Sequence, residues 1–142
     1  MSEIVFQLTC IARCGAQYRN RRLESLGLKG RQASLLMEIC ATPGISQDTL
    51  TRRMFLDKSV VARQVAFLEE QGYVDRPTSP KDRRVTCLYP TEKAMEILPT
   101  LREIWCDCEQ RLTRGMTEDE LETVQSVLNQ LKNRAAEWEA EG

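Results

Sequence analysis

The chain has 142 residues, of which 42% are hydrophobic and 29% charged, and its formal net charge is −1. This fits one globular domain, and the longest apolar run, residues 65–68, is far shorter than the roughly 20 residues of a membrane span. The absence of histidine excludes Ser-His-Asp triads, Cys-His pairs and His-ligated metals. These features argue against an enzyme, a cofactor or a metal. Because the N-terminus lacks the pattern of a signal peptide, we expect a cytoplasmic protein.

Charge is distributed unevenly along the chain. Residues 52–84 carry eight Lys or Arg and five Asp or Glu, whereas residues 91–142 carry six and twelve. A basic middle and an acidic C-terminal third predict two surfaces with different partners. The six cysteines include no CxxC pair, so the usual zinc-ribbon and thioredoxin spacings are absent and reduced thiols are expected.

Three helices are predicted before residue 54. Apolar or small residues at positions 4, 8, 11, 15 and 18 form one stripe of a first helix over residues 3–26. A second helix over residues 31–42 ends at Pro43-Gly44. Ser46 is a favourable N-cap for a third, short helix that ends near Arg53.

A longer fourth helix and a hairpin follow. Asp57 is a favourable N-cap for a helix over residues 58–71, whose apolar positions 61, 65 and 68 mark an inward face. Residues 73–76 and 85–89 are β-prone and enclose a polar, turn-rich segment. A short helix, a tight turn, a longer helix and a hairpin make a winged helix-turn-helix, predicted over residues 30–90.

Two long helices are predicted in the C-terminal third. Thr91 begins one that runs to about Arg114, and Thr117 with Glu120 forms the capping box of the last. The residues expected to face inward on the first of these are Ile97, Leu101, Ile104, Trp105, Cys108 and Leu112. The outermost helices carry more apolar stripe than a small domain covers, which predicts a homodimer formed by helical parts over residues 1–28 and 91–142.

The predicted fold class is therefore mainly α with a small β-hairpin wing: a winged helix-turn-helix with flanking helices that form a dimerisation region, in one domain over residues 1–142. The sequence closely resembles the MarR family of dimeric bacterial transcription regulators. The resemblance is carried by three segments, LGLKGRQASLL, ISQDTLTRRMFLDKSVVARQVAFLEEQGYVDR and SPKDRRVTCLYPTEKA. The most specific matches are Asp57-Lys58-Ser59, residues 68–74 and Asp82-Arg83-Arg84. The resemblance implies that the fourth helix reads the major groove of DNA and that the wing arginine enters the minor groove.

Candidate DNA contacts lie on the third and fourth helices and on the wing. Ser59 and Arg63 are four residues apart and share one helix face, where Arg63 can bind guanine or clamp a phosphate. Arg84 suits the negative potential of a minor groove, and Asp82 can orient it. The full predicted set is Gln47, Arg52, Lys58, Ser59, Val60, Ala62, Arg63, Lys81, Asp82, Arg83 and Arg84.

Two kinds of signal stay open. A redox or thiolate-metal switch would use cysteines of the first and fifth helices, namely Cys10, Cys14, Cys106 and Cys108. The competing interpretation is that cysteine is a small buried hydrophobe. A pocket for a small phenolic or lipophilic effector, which the family resemblance implies, would be lined by Tyr18, Met37 and Trp105. Aromatic residues at helical spacing also fit a plain core.

The sequence thus predicts a homodimeric regulator that binds a pseudo-palindromic operator in double-stranded DNA and represses a nearby operon until a small ligand releases it. A cysteine-based redox- or metal-responsive regulator of the same fold is the first alternative. The second, from a different class, is a winged-helix module that docks a protein partner. The basic wing argues against it, and duplex binding that weakens steeply with salt would separate the two.

Overall fold

The computed structural model describes residues 3–77 and 86–141. Its elements are α1 (Ile4–Leu23), α2 (Gly30–Ala41), β1 (Ile45–Ser46), α3 (Gln47–Met54), α4 (Lys58–Glu70), β2 (Val74–Asp75), β3 (Cys87–Pro90), α5 (Glu92–Leu112) and α6 (Glu118–Glu141). None of these described helices has the length and apolar character that crossing a bilayer requires. The chain divides into two compact units, residues 1–108 and residues 109–142.

The first unit is built around one hydrophobic core. Leu35 and Ile39 of α2, Leu68 of α4 and Leu101 of α5 are all fully buried in it. These residues recur at three- and four-residue spacings within their helices, so each helix turns one apolar stripe toward the shared core. The mainly helical fold, with a helix-turn-helix and a small antiparallel sheet, confirms the predicted fold class.

The sheet has three strands in the order β1–β3–β2, all antiparallel. Ile45 pairs with Leu88, and Asp75 pairs with Tyr89. The strand β1 was not predicted, because two residues leave no alternating pattern in the sequence. It forms because Ile45 and Leu88 are both buried side by side at the edge of the core.

Two of the predicted helix starts differ in how they are capped. Ser46 caps α3 as predicted, since its Oγ accepts a hydrogen bond from the Thr49 N–H at 3.1 Å. Asp57 is the N-cap residue of α4, as predicted, but its side chain makes no capping hydrogen bond. Phe55, in the turn between the two helices, has a φ of 52°, a left-handed conformation that reverses the chain over three residues.

The helix α5 turns a slightly different face inward from the predicted one. Its buried residues are Ala94, Leu98, Leu101, Ile104 and Cys108. Ile97 and Trp105 are only partly buried against the core, and Leu112 is 54% exposed. The prediction for Leu112 is wrong because α5 ends at that residue rather than at Arg114.

The second unit contains α6. Its N-terminus carries the predicted capping box: Glu120 N–H donates to Thr117 Oγ1 at 3.2 Å, and Thr117 N–H donates to Glu120 Oε1 at 3.2 Å. The apolar side chains of α6 are exposed, with Leu121 at 37%, Leu128 at 44% and Trp138 at 69%. The single chain therefore leaves the apolar stripe of this helix uncovered.

Candidate nucleic-acid interface

The helix α4 turns one face to the core and the other to solvent. Val61, Val65 and Leu68 are fully buried, at the spacing that the sequence predicts. Ser59 and Arg63 project from the other side and are exposed. Because α3 packs against α4 and a three-residue turn joins them, the exposed side of α4 is a convex surface of the kind that fits a major groove.

Cationic side chains surround this exposed face. Lys58 Nζ lies 3.9 Å from Asp48 Oδ1, but the two side chains are 82% and 74% exposed, so the pair is weak and leaves Lys58 able to move. Arg52 Nη2 donates a long hydrogen bond, 3.4 Å, to Thr49 Oγ1. Arg63 has no hydrogen bond or ion pair with the rest of the described chain. Binding DNA would therefore break no contact of Arg63 with residues 3–77 or 86–141.

Three other predicted contacts on α3 and α4 are less exposed. Val60 and Ala62 are half-buried, so only part of each side chain can reach a thymine methyl group. Gln47 is also half-buried, and its N–H donates to the Thr86 carbonyl at 2.9 Å. Its buried Oε1 has no hydrogen-bond partner among the described atoms.

The four predicted wing contacts, Lys81, Asp82, Arg83 and Arg84, lie outside the described residues. The start of the hairpin is described, and a bidentate ion pair ties it to α4: Arg76 Nε donates to Glu69 Oε2 at 3.0 Å, and Arg76 Nη2 to Glu69 Oε1 at 3.1 Å. Hydrogen bonding to Arg76 lowers the pKa of Glu69. Sequence reasoning missed this pair, because a helix end and a turn separate its members.

A cavity of about 620 Å³ lies behind the helix-turn-helix, within the first unit. Arg19, Lys29 and Arg31 contribute positive charge to its wall, and no carboxylate belongs to its described lining. Arg19 Cζ lies 5.2 Å from the centre of the Trp105 ring. The buried Nε of Arg19 has no hydrogen-bond partner among the described atoms. Guanidinium donors in such a wall favour a negatively charged occupant.

The same cavity reaches the helix-turn-helix directly. Met54, the last residue of α3, and Leu56 of the following turn line it together with Gln64 of α4. Gln32 Nε2 of α2 donates a hydrogen bond to Gln64 Oε1 at 3.0 Å. An occupant of the cavity would therefore contact α4 at Gln64, which follows Arg63 directly and lies about 100° round the helix from it.

The structure does not bring the three predicted pocket residues together. Trp105 lines the cavity, whereas Met37 packs against the core and the Tyr18 hydroxyl accepts a hydrogen bond from Arg22 Nη1 at 2.9 Å. The cationic lining was missed because Lys29 and Arg31 lie at the start of α2, where apolar periodicity carries no information.

The candidate cysteines differ in exposure. Cys10, Cys14 and Cys106 are exposed, Cys108 is buried, and all six cysteines of the chain are without a disulfide. Arg19 Nη1 lies 3.5 Å from the Cys108 Sγ. Over the part of the chain that the structure describes, no group of three or more His, Cys, Asp or Glu side chains could hold a metal ion.

Comparison with known proteins identifies the class. The MarR family profile matches residues 26–85. The uncharacterized HTH-type transcriptional regulator YybA of Bacillus subtilis (strain 168) is 29% identical over 140 residues, which cover 98% of this chain and 93% of YybA. A crystal structure of MarR is 32% identical with a TM-score of 0.84, covering 96% of this chain and 92% of MarR. A MarR family protein of Listeria monocytogenes, solved with 26mer DNA, is 25% identical with a TM-score of 0.92, covering 96% and 91%.

The fold and its solvent-facing helix define a winged helix-turn-helix transcription regulator. With the profile match and the 32% identity to MarR over nearly the full length of both chains, this chain belongs to the MarR family. The proteins of this family are transcription regulators and not enzymes.

Proposed function

We propose that this chain is a homodimeric, sequence-specific DNA-binding regulator that represses a nearby operon. One observation carries the proposal: α4, the second helix of the helix-turn-helix, buries its apolar face and exposes Ser59 and Arg63 on the other. A recognition helix enters the major groove in this arrangement. The Listeria relative solved with DNA supports the same use of the fold here.

The homodimer is proposed from two apolar stripes that a single chain leaves exposed. On α1, Ile4, Leu8 and Ile11 of the predicted stripe are 57%, 38% and 49% exposed, and on α6 Val127 and Trp138 are 47% and 69% exposed. Extended exposed apolar patches mark interaction sites in soluble proteins. A second copy of the chain, related by a two-fold axis, would offer each stripe an apolar surface to pack against.

The position of these stripes outside residues 30–90 suggests separate DNA-binding and dimerisation parts. Residues 30–90 bind DNA, and residues 1–28 and 91–142 form the dimer, within one domain. A two-fold dimer presents its two α4 helices roughly 34–36 Å apart, which is one turn of DNA, so the operator is an imperfect palindrome. Because its target is chromosomal DNA, the proposal places the protein in the cytoplasm.

The proposed DNA contacts fall into three groups by role. Ser59 and Arg63 read base edges or clamp phosphates, with the half-buried Val60 and Ala62 beside them at thymine methyl groups. Phosphates are bound from the helix-turn-helix by Gln47, Arg52 and Lys58. On the wing, Arg84 enters the minor groove and Asp82 orients it, as the family resemblance implies, while Lys81 and Arg83 neutralise phosphates.

The proposed effector is a phenolic acid that binds in the cavity of the first unit and releases the operator. Support comes from the positive charge of Arg19, Lys29 and Arg31, which favours an anion over a neutral lipophilic molecule. The Trp105 ring offers an aromatic surface in the same wall. Contact with Gln64 gives the occupant a direct route to α4.

Fluorescence anisotropy with duplexes from the DNA beside its own gene tests DNA binding by the full chain. We expect a palindromic fragment to bind tightly at low salt and to lose roughly 10³-fold or more in affinity between about 50 and 200 mM salt. An unrelated duplex of equal length should bind far more weakly. Binding that ignores salt or sequence would contradict the proposal and favour the protein-docking module.

Sedimentation velocity tests the dimer with a matched pair of α1 variants. We expect Leu8→Asp, which places a charge in the apolar stripe, to sediment as a monomer. Gln17→Asp, at an exposed polar position on the other side of α1, should remain a dimer. A parent chain that is monomeric at micromolar concentration would contradict the proposal.

Ligand addition to the operator complex separates the three signals. We expect salicylate to lower operator affinity in the parent chain and to have little effect in Arg19→Met. Peroxide or a Zn(II) salt should leave the affinity unchanged. A response to either of these that disappears on replacement of Cys10 or Cys108 by Ser would favour the cysteine-based alternative instead.

A further inference from the structure

The two residues that follow α4 are hydrogen-bonded to Thr91, which precedes α5, and to Lys93 in the first turn of α5. Thr91 Oγ1 donates a hydrogen bond to the Gly72 carbonyl at 2.6 Å, and Lys93 Nζ donates one to the Gln71 carbonyl at 2.6 Å. Lys93 Nζ also lies 4.4 Å from the centre of the Tyr73 ring. We refer to Thr91 and Lys93, with these contacts, as the α4 clamp.

The clamp satisfies groups that a helix end leaves without partners. The last carbonyls of a helix have no intrahelical donor, and a cation placed there is also attracted by the helix dipole. Gly72 has a φ of 82°, which turns the chain sharply after α4, and Tyr73 N–H donates back to the Leu68 carbonyl at 2.8 Å. The direction of α4 is therefore fixed at this end by α5.

Lys93 of the α4 clamp belongs to α5, and α5 also reaches the cavity. From Thr91 the chain continues as α5 to Trp105, which lines the cavity and contacts Arg19. Within the first unit, one continuous helix thus joins the cavity wall to the end of α4. A displacement of α5 would be transmitted to α4 through the clamp.

We propose that Thr91 and Lys93 are positioning residues for operator recognition: they set the direction in which α4 is presented to DNA. The inference rests on the proposed function of α4. Neither residue lies on the solvent-facing surface of α4 that carries Arg63, so they act through α4 rather than by reading bases. Sequence readout needs side chains held in a narrow range of positions, whereas non-specific binding depends mainly on charge. Loss of the clamp should therefore reduce specific binding more than non-specific binding.

The test measures anisotropy of full-length Lys93→Met on two duplexes, an operator selected in vitro from a random pool and an unrelated sequence of equal length. We expect about a five- to tenfold loss of affinity for the operator, the scale of one hydrogen bond of average strength. Affinity for the unrelated duplex should change by less than about twofold, and the salt slope on the operator should not change. Arg102→Met, which removes one exposed positive charge elsewhere on α5, is the control and should resemble the parent.

A second pair of variants tests the clamp without removing a charge. Thr91→Val loses the hydrogen bond to Gly72 and should show the same selective loss as Lys93→Met, whereas Thr91→Ser keeps the hydroxyl and should restore operator affinity. Thermal melting by circular dichroism checks that each variant is folded. If Thr91→Val does not fold, Lys93→Met alone decides.

Three outcomes would overturn the inference, and they are distinguishable. Parent-like operator affinity in Lys93→Met would mean that the clamp does not position α4. An equal loss on both duplexes with a lower salt slope would mean that Lys93 binds phosphate directly. A parent chain that binds no selected duplex would refute the proposed function itself, and the inference with it.

Discussion

Replacement of Arg63 by Ala is expected to weaken operator binding strongly without destabilising the fold. Arg63 is exposed and has no hydrogen bond or ion pair with the described residues, so its removal leaves no group unpaired in the free protein. A base-reading arginine contributes about 1–3 kcal/mol of binding free energy. A two-fold dimer loses two such contacts, so the expected total is about 2–6 kcal/mol, at least about 30-fold in affinity.

Anisotropy titrations of the parent chain and Arg63→Ala over a range of salt concentrations provide the measurement. If Arg63 binds guanine, the salt slope stays near that of the parent; if it clamps a phosphate, the slope falls by about 0.9 for each subunit. Arg102→Ala is the matched control, since that arginine is exposed on α5 and outside the proposed DNA contacts. Equal operator affinities for Arg63→Ala and Arg102→Ala would refute the assignment of α4 as the recognition helix.

Three further predictions use other parts of the chain. Arg84→Ala should weaken operator binding and lower the salt slope with an unchanged melting temperature; equal slopes in anisotropy would contradict a groove contact. Arg76→Ala should lower the free energy of unfolding by up to about 1 kcal/mol at pH 7. The pKa of Glu69 is depressed in the folded chain by the hydrogen bond from Arg76. The contribution of the pair is therefore present above the usual pKa near 4.5 and is lost as pH falls through the lower folded pKa, so the urea midpoints of variant and parent should converge in acid. A difference that stays constant with pH would contradict the pair. Thiol titration should modify Cys10 long before Cys40, since burial raises the pKa of the Cys40 thiol, and equal rates would contradict the assigned burial.

The local features of the helix-turn-helix were predictable because neighbouring residues encode them. The spacing of Val61, Val65 and Leu68 fixes which side of α4 is buried, and it thereby fixes that Arg63 faces solvent. Ser46 caps α3 because a serine hydroxyl can reach the N–H three residues ahead. Each of these inferences needs at most one or two helical turns of sequence.

Features that depend on distant residues were not predictable in this way. The strand β1 exists because Ile45 meets Leu88, and no pattern within two residues marks it. The cavity was expected to be aromatic, but its wall draws Lys29 and Arg31 from the start of α2. Arg19 was not predicted to line the cavity. A single cation on α1 does not indicate, from the sequence alone, which other element it will contact.

Contacts with three other elements explain how α4 can be fixed in position while one of its sides stays exposed to solvent. Its middle is hydrogen-bonded to α2 through Gln64 and Gln32 at 3.0 Å, and its last turn is ion-paired to the hairpin through Glu69. The carbonyl of Gln71, which follows the last residue of α4, accepts a hydrogen bond from Lys93. All three ties leave from sides of the helix other than the one that carries Arg63. Since a binding surface on a rigid element needs less ordering when it meets its target, the three ties lower the entropic cost of recognition. Each also leads to a different element, so a displacement of α2, of the hairpin or of α5 would change the direction of the same recognition helix.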